Sequence, residues 1–355
     1  MDKTKYVGMD VHKETISIAV VDSTGKLVKE VILETKANTI LEFILGLRRN
    51  VHVTFEEGTW AAWLYDLLKP HVANVVVCNP RKNALLNDGN KGDETDARKL
   101  AELLRGNFLK PVYHGETGTR TLKELTRSYI AISKDLVRVM NRIKALYRTR
   151  GIACAGILVY APRHRSEWLA RITDAGGCRR AELFYQELDT LQVLRQEARR
   201  DLLAEGRKHG ATELLCQIPC IGPIRAAQLI ALIQTPHRFR TKRQLWTYSG
   251  LGLEMHASAQ YGYVKGQLRH SKKPHRFHGL NRNCNHDLKN IFKGAAAKAS
   301  ICAGPFHDFY EGLLMKGRKP AMARLTLARK IAAITLIIWK KGVSFDAQQL
   351  KQQAA

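Results

Sequence analysis

The sequence predicts a mixed α/β front domain, then a long helical region, then a mainly α C-terminal domain. Three observations predict it. The first 110 residues alternate β-branched runs of five to eight residues with short amphipathic stretches, in the order βββαβαβα, which suggests a mixed sheet flanked by helices. Residues 122–147 keep an unbroken helical period. The charge is also divided: up to Lys110 there are 16 basic and 15 acidic residues, whereas the remainder holds 42 basic and 17 acidic ones. The boundaries expected from these features are 1–110, 111–210 and 211–345, with a polar tail over 346–355.

In the front domain, 6–11 reads as a buried strand that delivers Asp10 at its end, 15–21 as a second strand, and 27–33 as a third after the Ser23-Thr24-Gly25-Lys26 turn. A three-strand meander whose first strand carries an Asp at its end is how RNase H-like domains begin. Helix is expected over 40–47 and 60–68, and strand over 51–55 and 74–78. The strand at 51–55 closes on Glu56-Glu57-Gly58-Thr59. Leu100, Leu103 and Leu104 mark a helix whose first turn holds Asp93 and Asp96, three apart and on one face. Two readings of those carboxylates stand: helix-start residues that cap N–H groups and suit the dipole, or oxygen ligands for a hard cation such as Mg2+. The second gains from Asp10 and Glu57 falling at strand ends, where functional groups collect in α/β sheets.

The 122–147 helix combines an apolar stripe (Leu125, Ile130, Leu136, Val139, Ile143, Leu146) with Arg138, Arg142, Lys144 and Arg148. It suggests a coiled coil or helical hairpin, with 185–203 as the return arm and 151–177 irregular between them. Cys216 to Ile224 is a Pro/Gly turn before an apolar helix at 226–233, similar to a helix-hairpin-helix but with Cys220 where that turn has its first Gly. From Lys265 to Lys298 the chain is strongly basic, including Lys265, Arg269, Lys272, Lys273, Arg276, Lys289 and Lys293, with Tyr261, Tyr263, Phe277 and Phe292 nearby. Basic residues mixed with aromatics suit backbone tracking and base stacking, although a solvated charged face is the alternative for any one of them.

A net charge of +26 points to a polyanion, most simply nucleic acid, rather than a membrane surface, because the cations are spread over several segments. The seven Cys are odd in number and form no C-x-x-C pair, so reduced thiols in a cytoplasm are expected. The N-terminus runs directly into a strand with no visible signal peptide, and the apolar run 331–339 is too short to span a bilayer.

Several motifs in family order carry a resemblance: Gly8-Met9-Asp10-Val11-His12-Lys13, Glu57-Gly58-Thr59, Gly92-Asp93-Glu94-Thr95-Asp96-Ala97-Arg98, Ile218-Pro219-Cys220-Ile221-Gly222-Pro223, Tyr248-Ser249-Gly250-Leu251 and Asn283-Cys284-Asn285-His286-Asp287-Leu288-Lys289-Asn290. With them the chain resembles the DEDD transposases of bacterial insertion sequences, which have a RuvC-like front domain, a helical middle and a C-terminal domain with an essential serine. The resemblance implies that Asp10, Glu57, Asp93 and Asp96 form the tetrad and hold Mg2+, two ions in all, with Glu56 as the alternative to Glu57. It implies Ser258, in Ala257-Ser258-Ala259, as the serine, with Ser249 as the other candidate. It further implies a recombinase acting on donor and target DNA, guided by a bridge RNA from its own element, working as a dimer or tetramer at the bacterial nucleoid.

These parts make one chemistry. A serine hydroxyl attacking a DNA phosphodiester gives a phosphoserine bond and a free 3′-hydroxyl, which conserves bond energy for rejoining. The expectation is that the tetrad and Ser258 act on one phosphate, with the basic regions holding RNA by shape and backbone. Two alternatives compete: a RuvC-like two-metal nuclease that uses water and needs no Ser258, and a non-catalytic nucleic-acid-binding protein.

Overall fold

A computed structural model describes residues 4–48, 50–80, 92–114, 117–256, 261–264, 267–270 and 276–348. The chain divides into two compact units, Met1–Gly115 and Glu116–Ala355.

Unit 1 is built from β1 (Lys5–Val11), β2 (Thr15–Asp22), β3 (Leu27–Glu34), α1 (Ala37–Gly46), β4 (Val51–Glu56), α2 (Ala61–Leu68), β5 (Asn74–Cys78) and α3 (Asp93–Arg105). The sheet order is β3-β2-β1-β4-β5, antiparallel between β1, β2 and β3 and parallel between β1, β4 and β5. This is the mixed α/β, RNase H-like front domain that the meander predicted. Because side chains alternate along a strand, β1 serves two faces. Val7 and Met9 enter a core with Ile16, Ile18, Val53 and Phe55, closed by Ile40 and Ile44 of α1 and Leu64 and Leu68 of α2. Gly8 and Asp10 face the opposite way, toward α3.

Gly8 is required there. A Cβ at this position would lie 2.2 Å from the carbonyl oxygen of Ala97 and 2.5 Å from the amide nitrogen of Ala101. The helix backbone therefore rests directly on the central strand, through a buried stripe of Ala97, Leu100, Ala101 and Leu104. That close approach sets the first turn of α3 at the end of β1.

Unit 2 contains α4 (Arg120–Arg148), α5 (Arg165–Leu169), α6 (Ala175–Gly206), α7 (Ala211–Cys216), α8 (Pro223–Ile233), α9 (Lys242–Tyr248), the short strands β6 (Leu253–His256), β7 (Tyr261–Val264), β8 (Gln267–His270) and β9 (Arg276–Leu280), then α10 (His286–Ala299), α11 (Pro305–Met315) and α12 (Pro320–Lys341). Helices α4 and α6 run antiparallel, tied by the Tyr147–Tyr185 hydroxyl pair at 3.0 Å and by Arg195 against Tyr129. The return arm starts at Ala175 rather than 185, capped by the Asp174 carboxylate, which accepts from the Gly177 amide. The segment between the arms folds onto the hairpin through Val159, Tyr160 and Trp168.

A second core joins Leu122 and Tyr129 of α4 and Leu202 of α6 to α8, α10 and α12, so the helical hairpin and the C-terminal helices share an interior. In the turn before α8, Cys220 adopts φ +66°, the left-handed geometry that a Gly would take there. Cys216 ends α7, and Cys220 lies in this turn. All seven cysteines are free thiols. Among the described residues no helix is long and apolar enough to cross a membrane.

Candidate active site

Unit 1 brings three of the four expected carboxylates to one place. Asp10 is the last residue but one of β1, and Asp93 and Asp96 open α3 beside it. His12 joins them: its Nε2 lies 3.1 Å from Asp10 Oδ2 and 3.5 Å from Asp93 Oδ1. One ligand atom from each of Asp10, His12 and Asp93 lies within 4.8 Å of the others. Burial lifts the Asp10 carboxyl above its ordinary value; His12 opposes that, and the charges of Asp93 and Asp96 add to it.

Among the described residues no side chain caps the N–H groups that open α3, although Asp93, Glu94 and Asp96 in its first turn suit the helix dipole. The N-cap is Gly92, which has no side chain, and Asp96 Oδ1 is buried with no hydrogen-bond partner. Lys99 Nζ is 3.6 Å away, close enough for attraction but not for a hydrogen bond. A buried carboxylate oxygen left over in this way fits a cation.

The fourth carboxylate is where the structure departs from the sequence reading. Glu56 is the last residue of β4, one step beyond the Met9–Phe55 pair, so alternation puts it on the same sheet face as Asp10. Burial raises the Glu56 carboxyl, and the charges of Asp10 and Asp96 raise it further, so it sits within reach of both. Glu57, preferred on the Glu-Gly-Thr match, lies past the strand end and turns elsewhere. Its Oε2 pairs with His114 Nε2 at 2.8 Å, and the His114 ring stacks on Tyr65 with centroids 4.8 Å apart. His114 gets there because the chain beyond α3 runs along β5, with Val112 donating to the Val77 carbonyl. Sequence reasoning missed both His12 and His114 as site neighbours. The available signal for His12 was its position two residues after a strand-end Asp.

The basic residues predicted to touch nucleic acid lie in unit 2. Arg138 pairs with Asp135 at 2.7 Å, Arg142 reaches Glu187 of α6 at 3.5 Å, and Lys144 lies over the Tyr160 ring at 5.2 Å. Lys144 and Arg148 also line a shallow groove of about 600 Å³ along α4 with Asn141, Ala145 and Thr149. Lys289 and Lys293 are on α10. Arg269 is in β8 and Arg276 in β9, their side chains outside the described residues. Ser258, Lys265, Lys272 and Lys273 lie outside the described residues altogether. Ser249, the other serine, is fully buried and its hydroxyl donates to the Leu245 carbonyl at 2.7 Å, a structural role within α9 and its cap.

Two family models match this chain. The DEDD transposase model covers residues 7–149, which takes in the whole carboxylate cluster and α4, and a second, described as the transposase IS116/IS110/IS902 family, covers 212–311. The chain belongs to the IS110-type DEDD transposases. The transposase for insertion sequence element IS1533 of Leptospira borgpetersenii is 31% identical over 179 residues, 48% of this chain and 51% of that protein. The chain thus spans about half the length of the curated relative it matches.

Proposed function

We propose that this protein is a DNA transposase of the recombinase kind, in which Asp10, Glu56, Asp93 and Asp96 hold Mg2+, one or two ions, and Ser258 is the nucleophile. The observation that carries the metal part is the convergence of these carboxylates at one end of the central strands, with Asp96 Oδ1 buried and without a hydrogen-bond partner among the described residues. When bound, the cation supplies polarisation of a phosphoryl oxygen and charge neutralisation.

The chain's own residues do the rest. The carboxylates fix the cation's place; burial raises Asp10 and Glu56 above ordinary carboxyl values, and the neighbouring acids add to it. The Ser258 hydroxyl gives up its proton and its oxygen bonds to phosphorus. The 3′-oxygen leaves and takes a proton, so one phosphodiester becomes a phosphoserine ester plus a 3′-hydroxyl, and the reverse attack rejoins strands without an outside energy source. The cations of α4 and α10 contact phosphates of DNA or of an element-encoded guide RNA, where base pairing selects the target. The family position of Ser258 and the +25 charge of the chain beyond Lys110 support this reading. Strand exchange between two duplexes calls for a homo-oligomer, a dimer or tetramer.

The test uses purified protein, the element's RNA, Mg2+ and end-labelled DNA on a denaturing gel. A labelled protein–DNA adduct that disappears in Ser258→Ala and in Asp10→Ala is the expected result. Free nicked DNA without adduct, equally strong in Ser258→Ala, would replace the serine mechanism with a water-using RuvC-like nuclease.

A further inference from the structure

We infer that His12 is a direct ligand of the divalent cation, which makes the site a mixed nitrogen and oxygen site rather than an all-carboxylate one. The inference rests on the metal reading above and deepens it.

His12 Nε2 already sits between Asp10 Oδ2 and Asp93 Oδ1, at 3.1 and 3.5 Å. Three donors from two different elements, a strand end and a helix start, close around one small volume within 4.8 Å. The ring is not there by chance of a mobile turn. The His12 amide donates to the Thr15 carbonyl at 2.9 Å, and the His12 carbonyl accepts from Thr35 Oγ1 at 3.0 Å, so the backbone is held on both sides. With its proton on Nδ1, the imidazole presents the Nε2 lone pair to the space the two carboxylates share. The side chain is 48% exposed, so its position is set by the two carboxylates rather than by packing.

The consequence is selectivity. Oxygen-only sites suit Mg2+, while an imidazole nitrogen raises affinity for first-row transition metals along the Irving–Williams order. Mn2+ and Co2+ are therefore held more tightly relative to Mg2+ than four carboxylates alone would hold them.

The experiment uses the full chain loaded with Mn2+ and read by pulsed electron paramagnetic resonance, which detects a ¹⁴N nucleus bonded to the ion. Wild type shows nitrogen coupling. His12→Ala loses it, and its Mn2+ affinity falls by at least the roughly tenfold that loss of an outer-shell partner costs. His12→Asp regains affinity without nitrogen coupling, which shows that the fold tolerates change there. His114→Ala keeps the coupling, because His114 is engaged with Glu57. Mn2+ bound through Asp10 with no nitrogen coupling in wild type overturns the His12 inference and leaves the carboxylate site standing. Mn2+ binding that is absent, or indifferent to Asp10→Asn, overturns both.

Discussion

The two units manage charge in opposite ways. Unit 1 is nearly balanced, 16 basic against 15 acidic residues up to Lys110, yet it crowds Asp10, Glu56, Asp93 and Asp96 at one strand end. The chain beyond Lys110, nearly all of it unit 2, carries 42 basic against 17 acidic residues and spreads its cations along helices. Each holds like charges that cost stability by themselves. In unit 1 burial and neighbouring acids push Asp10 and Glu56 up; in unit 2 burial pushes Lys330 down, and Lys242 pushes it further. The difference lies in the partner each pattern suits. A compact knot of carboxylates suits a point charge, a metal ion, whereas a dispersed field of Lys and Arg suits a long polyanion.

That division predicts that chemistry and nucleic-acid affinity separate by mutation. Asp10→Ala or Asp93→Ala lowers strand cleavage by about 10³-fold or more while changing nucleic-acid affinity little; gel-shift titrations beside cleavage rates check this. Equal losses in both would show that the carboxylates of unit 1 also hold the nucleic acid. At the neighbouring pair, Glu56→Gln behaves like Asp10→Ala, and Glu57→Gln retains most of the cleavage rate, because Glu57 is engaged with His114.

Gly8→Ala acts through structure. The added methyl meets the α3 backbone at Ala97 and Ala101, so the helix must lift. The expected cost is about 3 kcal/mol in unit 1, seen by chemical denaturation, together with weaker metal binding. In unit 2, Arg142→Ala with Arg148→Ala makes the fall of log affinity with log salt shallower, by about 0.9 for each phosphate the protein no longer neutralises, and Asp10→Ala leaves that slope unchanged.

The smallest effect is on pH dependence. The folded carboxyls of Asp10 and Glu56 are raised, so the folded chain binds those protons more tightly than the unfolded one. Their contribution is most favourable at low pH and declines as pH climbs through the raised values. Metal-free Asp10→Asn therefore gains a few degrees in melting temperature over wild type near neutral pH and little near pH ~4. Added Mg2+ narrows the gap by stabilising wild type alone.

Much of unit 1 was legible in the sequence because its strands are short β-branched runs set off by turn residues. Asn74–Cys78 came out to the residue. Glu56 against Glu57 was not legible, since a one-residue shift at a strand end swaps the sheet face, and the pairing of β4 with β1 is what puts Glu56 on the face of Asp10. The start of α6 was hidden by Gly176 and Gly177, poor helix formers. A Cβ at Gly177 would lie 2.1 Å from the Arg150 guanidinium, which Asp174 holds at 2.7 Å. The strands β6 to β9 and helix α10 were read only as basic sequence; charge says what a surface meets, and very little about backbone shape.

The divalent cation proposed for this chain sits at the end of β1. The most direct measurement replaces Mg2+ with Fe2+ and adds ascorbate and peroxide, so that radicals formed at the ion cut the adjacent peptide backbone. Mass spectrometry of the fragments should find cuts clustered beside Asp10, Glu56 and Asp93 to Asp96, suppressed by excess Mg2+. Cuts confined to the helices of unit 2, or scattered without Mg2+ competition, would contradict the account.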